Sequence, residues 1–96
     1  HTSSLTRDIW IYDIPSQSYK QISSYEGEDR EPLFSNDDQS VYYLSEKKGA
    51  QNIFKTTLQN SEEKQITKFN NHPVRHLTRA NDNTLCFSWN GEIYLV

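Results

Sequence analysis

Two histidines four positions apart, His72 and His76, are the first candidates for chemistry in this sequence. On a helix, this spacing could hold a zinc ion between the rings, with Asp82 and Glu92 nearby in the sequence. The stretch has neither a His-Glu-x-x-His motif nor a helical periodicity, and strands or loops do not bring two such rings to one face. We therefore interpret both histidines as surface or hinge residues.

Four carboxylates close together in the sequence raise the alternative of a calcium site: Asp29, Glu31, Asp37 and Asp38. Calcium loops of the EF-hand type alternate their acidic ligands around an invariant glycine. This stretch lacks that alternation, and short carboxylates commonly cap turns. We expect turn capping and assign no metal ligand.

The nucleophilic side chains, one cysteine and several serines, do not lie in a recognisable catalytic motif. Cys86 is the single cysteine and cannot form an internal disulfide. A catalytic cysteine needs a histidine and an orienting partner within reach, and Cys86 is better explained as a small core residue of a strand. Ser45 and Ser88 lie outside any G-x-S-x-G elbow. The sequence predicts no catalytic, cofactor-binding or metal-binding residue.

Composition limits the class of protein. The 96 residues carry a net charge of -3 without a basic stripe, which argues against nucleic-acid binding. Apolar runs are only a few residues long, so no membrane span is expected. Aromatic residues make up 12% of the chain although only 33% is hydrophobic, a combination that suits sheet faces. The chain begins in mid-pattern and stops inside a strand-like run, so we expect a fragment of a longer protein.

The elements that position these side chains are short strands. Residues 8–14 alternate with a period of two, as strands do, and the runs 51–58 and 91–96 repeat their pattern. Another strand is predicted to begin at Pro32, because proline is tolerated at a strand's first residue. Asn90-Gly91 predicts a two-residue hairpin turn, since both residues tolerate positive φ. No stretch has a helical period.

A common offset relates these strands. Four pairs of apolar residues are separated by 44 positions: Ile9 and Ile53, Ile22 and Ile66, Leu33 and Leu77, Val41 and Leu85. The step from Ile53 to Ile93 is 40, because Asn90-Gly91 replaces the longer loop 46–50. In this register His76 takes the position of Pro32, which favours a structural role for the histidine.

A repeat of this length with four short strands is one blade of a β-propeller. The fold class is therefore all-β, with antiparallel four-stranded propeller blades and about two blades' worth of chain, an incomplete propeller. We assign residues 1–96 to a fragment of one propeller domain. Its parts are the end of one blade (8–23), a complete blade (31–67) and the first three strands of the next (74–96). A β-solenoid and a sandwich are the competing geometries.

Aromatic residues recur at strand spacing: Trp10, Tyr12, Tyr42, Tyr43, Phe54, Phe87, Trp89 and Tyr94. We expect these rings to pack between blades. An aromatic platform for a ligand in a channel is the alternative.

The stretches 7–14 and 32–45 resemble the TolB-like and tricorn-type propeller repeat. In that repeat a strand ends in Ser-Pro-Asp-Gly, a Tyr- or Phe-rich strand follows, and Ile-Tyr or Ile-Trp opens the third strand. Ser35-Asn36-Asp37-Asp38 stands here in place of Ser-Pro-Asp-Gly, and 79–83 in place of the next such turn. The proline and the glycine of the turn are missing, so a different turn geometry is expected.

Within that superfamily, residues 69–77, 85–88 and 91–95 look like the N-terminal six-bladed propeller of tricorn protease. The resemblance implies a parent serine peptidase that trims peptides, with a PDZ-like domain and a C-terminal catalytic domain outside this sequence. It implies a non-catalytic segment that guides peptide access or product exit, with peptides and other blades and domains of the chain as partners. It leaves a homo-oligomer open and implies no cofactor.

Two alternatives remain. One is a TolB-like propeller that binds a protein or a glycan without an attached peptidase. The other is the propeller of a prolyl oligopeptidase-type hydrolase. Bacterial proteins with this repeat are often exported, which favours a periplasmic location over a cytoplasmic one.

Overall fold

Every regular element is a strand in the computed structural model, which describes residues 9–13, 15–23 and 30–96. The nine strands follow in chain order: β1 (Ile9–Asp13), β2 (Ser18–Ser23), β3 (Arg30–Phe34), β4 (Ser40–Ser45), β5 (Asn52–Thr57), β6 (Glu63–Gln65), β7 (Val74–Arg79), β8 (Leu85–Trp89) and β9 (Glu92–Leu95). Asp8 and Ile14, the predicted ends of the first strand, and Asp29 of the acidic stretch lie outside the described residues.

The strands form three antiparallel meanders. Sheet 1 is β1-β2, sheet 2 is β3-β4-β5-β6, and sheet 3 is β7-β8-β9. Each strand pairs with the next along the chain, as short polar turns dictate. The predicted all-β, antiparallel architecture is confirmed. The division of the chain into three successive blades stays a prediction.

Strand pairing confirms the offset of 44 residues between β1-β2 of sheet 1 and β5-β6 of sheet 2. Trp10 lies opposite Gln21, and Phe54 lies opposite Gln65. The two neighbouring pairs on each ladder keep the same spacing. β1-β2 and β5-β6 are therefore equivalent hairpins.

The offset is 45 where β3 and β7 pair with their neighbours, which corrects the prediction for Leu33 and Leu77. Leu33 lies opposite Tyr42, whereas Thr78 lies opposite the equivalent Cys86. Both ladders are irregular just before these residues. The turn that follows β7 is one residue shorter, which restores the offset of 44 in β8.

The irregularity of β3 contains Pro32, which corrects the prediction that a strand begins at this residue. β3 begins at Arg30, and its register shifts between Arg30 and Leu33. Proline has no N–H to donate to a ladder, so it is accommodated at a bulge. At the offset of 45, Leu77 is equivalent to Pro32, which corrects the prediction that His76 takes this position. His76 lies in the matching irregularity of β7, with a φ of 56°.

The turns that lack glycine contain a residue with a positive φ, the left-handed backbone conformation. Asp38 has a φ of 60° and Asn83 a φ of 71°, and each donates its backbone N–H back across the turn. Asp and Asn adopt this conformation more readily than other non-glycine residues. Asn90 and Gly91 have φ values of 51° and 80°, as the hairpin prediction requires.

The apolar side chains form two layers between the sheets. The larger core packs sheet 2 against sheet 3: Tyr42, Leu44, Ile53, Val74, Leu77, Leu85 and Phe87. The smaller core packs Val41, Tyr43 and Phe54 of sheet 2 against Ile11 of sheet 1. Four of the eight predicted aromatics, Tyr42, Tyr43, Phe54 and Phe87, are buried in these layers.

Within the described residues Trp10 and Tyr12 are 56% and 47% exposed, so their packing between blades stays a prediction. Successive side chains of a strand point to opposite faces. Ile11 takes the face toward sheet 2, so Trp10 and Tyr12 point away from it.

Candidate functional site

The two candidate histidines have separate environments. The His72 ring meets the Trp89 ring edge-on at 5.7 Å, and Trp89 Nε1 donates a 2.9 Å bond to the His72 carbonyl. His76 is exposed on the β7 bulge. Within 9–13, 15–23 and 30–96, no group of three or more His, Cys, Asp and Glu side chains could hold a metal ion.

Two of the acidic candidates cap equivalent turns. The Asp37 carboxylate accepts a 2.7 Å bond from Ser35 Oγ and a 3.0 Å bond from the Gln39 backbone N–H. The Ser35 hydroxyl and then the Gln39 amide lower the pKa of Asp37. The Asp82 carboxylate accepts a 3.0 Å bond from the Thr84 N–H, which likewise lowers the pKa of Asp82.

The remaining nucleophile candidates, Cys86, Ser45 and Ser88, have structural positions in the sheets and turns. Cys86 is half-buried opposite Leu95. Ser45 is fully buried, and its Oγ accepts a 3.2 Å bond from the Lys47 N–H. Ser88 Oγ donates a 3.3 Å bond to the Arg75 carbonyl. The structure therefore places these side chains at ladder and turn positions.

A polar cleft lies where the turn between β4 and β5 meets the connection between β6 and β7. The cavity measures about 320 Å3, within the usual range of ligand sites. It is lined by Glu46, Gly49, Ala50, Gln51, Asn71, Pro73 and Arg75. Sequence reasoning did not find it, because it joins residues of two sheets.

Opposite charges face this cleft without neutralising one another. Glu46 and Arg75 are both exposed, and neither side chain has a hydrogen bond or ion pair with a residue that the structure describes. Gly49 has a φ of 107°, and the space on its Cβ side is open for at least 4 Å. The cleft therefore offers one carboxylate, one guanidinium and accessible backbone to a ligand.

Hydrogen bonds between sheets 2 and 3 fix the floor of the cleft. The Val74 N–H donates a 2.9 Å bond to the Gln51 carbonyl, and Gln51 Nε2 donates a 2.8 Å bond to the Val74 carbonyl. Both residues are buried. This reciprocal pair sets the spacing between the two walls.

Asn52, next to this pair, holds the β6–β7 connection. Its Oδ1 accepts bonds of 2.8 Å from Thr67 Oγ1 and 2.9 Å from the Phe69 N–H. Its Nδ2 donates to the carbonyls of Phe69 at 2.8 Å and Ala50 at 3.2 Å. Asn52 is 1% exposed, so these bonds satisfy an amide that water does not reach. A polar pair, Gln51-Asn52, ahead of an apolar strand is the sequence signal that could have indicated this role.

A charged cluster contacts Glu63, the first residue of β6. The buried Tyr43 hydroxyl donates a 2.8 Å bond to Glu63 Oε2 and lies 3.1 Å from Thr56 Oγ1. Lys47 forms an ion pair with Glu63 and lies over the rings of Tyr43 and Phe54, 5.3 and 5.0 Å from their centroids. The cluster therefore holds the β4–β5 hairpin against β6.

The cluster shifts the pKa values of its members in ways that suit a structural role. Burial acts to raise the pKa of Glu63, but the hydrogen bonds from Lys47 and Tyr43 outweigh it and hold that pKa below 4.5. Burial acts to lower the pKa of Lys47, and Glu63 and Tyr43 outweigh it, so the pKa of Lys47 is raised. A lysine held protonated cannot serve as a base.

Low pH is therefore expected to weaken the contacts of Glu63 in this cluster. A lowered folded-state pKa contributes stability above the unfolded value of 4.5, and that contribution is lost as the pH falls through the folded value. Glu63 is 37% exposed, so solvent screening limits the contribution to about 0.5 kcal/mol. The free energy of unfolding, measured with urea from pH 6 to pH 3, should fall by about 0.5 kcal/mol less for Glu63→Gln than for the unmodified protein.

Glu62→Gln, on the exposed neighbour, is the matched control and should keep the pH dependence of the unmodified protein. An equal pH dependence in Glu63→Gln and Glu62→Gln would contradict the assignment.

The described residues contain no helix long and apolar enough to cross a membrane. No protein-family model matches the chain, and no curated protein matches it.

The fold is similar to that of a solved structure, TolB from Acinetobacter baumannii, with a TM-score of 0.74 and 20% sequence identity. The similarity covers 92% of this chain, which spans only 23% of the TolB chain. At this identity the likeness concerns the fold alone. The chain has the fold of part of a TolB-like β-propeller, with antiparallel sheets of two, four and three strands.

Proposed function

We propose that the chain is a non-catalytic propeller module that holds an extended peptide in the cleft between Glu46 and Arg75. The observation that carries this proposal is the pair of opposite charges on the two walls of a 320 Å3 cavity, neither of which has an ion pair with a described residue. A peptide supplies both charges and backbone amide groups, and it can pair with the exposed backbone around Gly49. Loops on a rigid β scaffold are common binding positions.

The parent protein in this proposal is a tricorn-like serine peptidase, and the segment guides peptides to its active site or products away from it. The resemblance of residues 69–77 and 91–95 to the tricorn propeller supports this role. The buried Gln51–Val74 bonds, which join sheets 2 and 3 beside the cleft, are consistent with a fixed passage.

A TolB-like module that binds a protein or glycan partner is the second candidate, and the similarity to the TolB fold favours it. The propeller of a prolyl oligopeptidase-type hydrolase is the third. The sequence of the intact protein separates them. A PDZ-like segment followed by a serine catalytic domain supports the first, an end after one propeller the second, and a downstream G-x-S-x-G motif the third.

Peptide binding in the cleft can be tested by changing one wall. We expect Arg75→Gln to weaken binding of a synthetic library of mixed octapeptides to the intact protein about tenfold, because a charge-assisted hydrogen bond contributes about 1.5 kcal/mol or more. The measurement is fluorescence anisotropy of the labelled library.

The control is Lys48→Gln, which removes the same charge from an exposed residue beside the cleft that does not line it. It should change the affinity less than about twofold. Equal affinities of Arg75→Gln and the unmodified protein, or no measurable binding by either, would show that the cleft is not the peptide site.

A further inference from the structure

The polar cleft carries donors on one wall. The β6–β7 connection and the start of β7 present the Asn71 amide and the Arg75 guanidinium. Asn71 Oδ1 accepts a 3.0 Å bond from the His72 N–H, which fixes the orientation of the amide and leaves its Nδ2 group without a hydrogen bond to a described residue. Guanidinium and amide NH2 groups donate hydrogen bonds and do not accept them. This wall therefore favours an anionic group.

The opposite wall, formed by the β4–β5 turn, carries the exposed Glu46 carboxylate. An ionised carboxylate accepts hydrogen bonds and donates none. The backbone of the turn is bonded within sheet 2, since the Gly49 N–H donates a 2.9 Å bond to the Glu46 carbonyl and the Ala50 carbonyl accepts a 3.2 Å bond from Asn52 Nδ2. The Glu46 side chain has no such partner among the described residues, so this wall favours a cationic group.

The backbone that carries the two charges is held in place. Arg75 follows Val74, which is 0% exposed and exchanges two hydrogen bonds with Gln51 at the end of the β4–β5 turn. A ligand therefore meets backbone positions that are already set, and a preorganised site loses less free energy to ordering when it binds.

The size of the cleft limits how far apart the charges of a ligand can be. The cavity of about 320 Å3 lies at the lower end of the range of about 300–1,000 Å3 for ligand sites. Only a short part of an extended peptide fits there, so the side chains that reach the two walls are near neighbours. Successive side chains of an extended chain point to opposite sides. Adjacent residues therefore face opposite walls, and residues two apart face the same wall.

We propose that the cleft selects internal peptide segments in which an acidic residue and a basic residue are adjacent. The acidic side chain binds Arg75 and Asn71, and the basic side chain binds Glu46. This inference rests on the proposed peptide-binding function and names the class of peptide that the cleft takes. An arginine can bind a carboxylate through two parallel hydrogen bonds, so the acidic side chain sets the register of the peptide.

Octapeptides without terminal charges test the proposal. Each has a neutral fluorophore on its N-terminus and an amidated C-terminus. One contains a central Glu-Lys pair in a background of Gly, Ser and Ala, and the other contains the same two charges separated by one residue. We expect the intact protein to bind the adjacent pair about tenfold more tightly, because the separated pair loses one charge-assisted hydrogen bond. Fluorescence anisotropy measures both affinities.

A second comparison assigns each charge to its wall. Replacing the peptide glutamate with glutamine should weaken binding to the unmodified protein about tenfold and to Arg75→Gln less than about twofold, because the partner is already absent. Replacing the peptide lysine with glutamine should lose its effect in Glu46→Gln and keep it in Arg75→Gln. The crossed combination is the internal control, because a general change in charge or a poorly folded variant would affect both replacements alike.

Failure of this inference differs from failure of the proposed function. Equal affinities for the adjacent pair, the separated pair and an uncharged octapeptide, while Arg75→Gln still weakens binding of the mixed library, would overturn the charge-pair selection and leave peptide binding in the cleft. Binding that requires a free peptide terminus would overturn it in the same way. Absence of binding by the library and by every octapeptide would overturn both.

Discussion

Replacing Asn52 with leucine should destabilise the intact protein by about 3–4 kcal/mol in urea unfolding. The amide makes four hydrogen bonds to residues 50, 67 and 69 from a position that is 1% exposed. Leucine has a similar volume but leaves these groups without partners, and each unsatisfied buried group costs about 1–3 kcal/mol. The backbone around Phe69 would lose its attachment to β5.

The control is Asn70→Leu, which makes the same chemical change at an exposed position in the same connection. It should alter the unfolding free energy by less than about 0.5 kcal/mol. Comparable costs at both positions would mean that the Asn52 network does not stabilise the fold.

A second large effect is expected where the repeat places isoleucine twice. Ile53→Ala should cost about 3 kcal/mol, because it removes buried carbon atoms and leaves a cavity between sheets 2 and 3. Ile93→Ala, at the equivalent position of β9, should cost less than about 0.5 kcal/mol in dilute protein, where the side chain is 72% exposed. Urea denaturation of the two variants at low concentration measures the difference. Equal costs in dilute protein would contradict the different burial of the two positions.

Strands and turns could be predicted from the sequence because their causes are local. The alternation of Trp10, Ile11 and Tyr12 shows a strand without reference to anything distant. Asn90-Gly91 specifies a hairpin through the φ angles that the two residues tolerate. The offset of 44 was readable for β4 and β5 because the pairing of neighbours preserves it.

The predicted offset failed for β7, where strand pairing gives 45. The ladders of β3 and β7 carry the same irregularity, so the bulge does not cause the shift. The connection before β7 is one residue longer than the connection before β3, and apolar spacing alone does not reveal this difference. His76 has a φ of 56° within the irregularity of β7.

The two histidines, the serines, Cys86 and the carboxylates Asp37, Asp38 and Asp82 have turn, ladder and surface positions, and none of them lines the polar cleft. Its walls, Glu46 and Arg75, are 29 residues apart in the sequence and belong to different sheets. Only the packing of sheet 2 on sheet 3 brings them to one cavity. The residues that fix that packing, Gln51 and Asn52, resemble ordinary loop residues until their partners are known.

The sequence by itself determined the strands, their order and the repeat, because these depend on side-chain alternation and turn chemistry within a few residues. The tertiary structure decided which equivalent positions are buried. Ile53 and Ile93 are the same residue at the same place in the repeat, but sheet 3 covers one and no described residue covers the other. Burial depends on the neighbouring layer, and a strand's own sequence does not specify that layer.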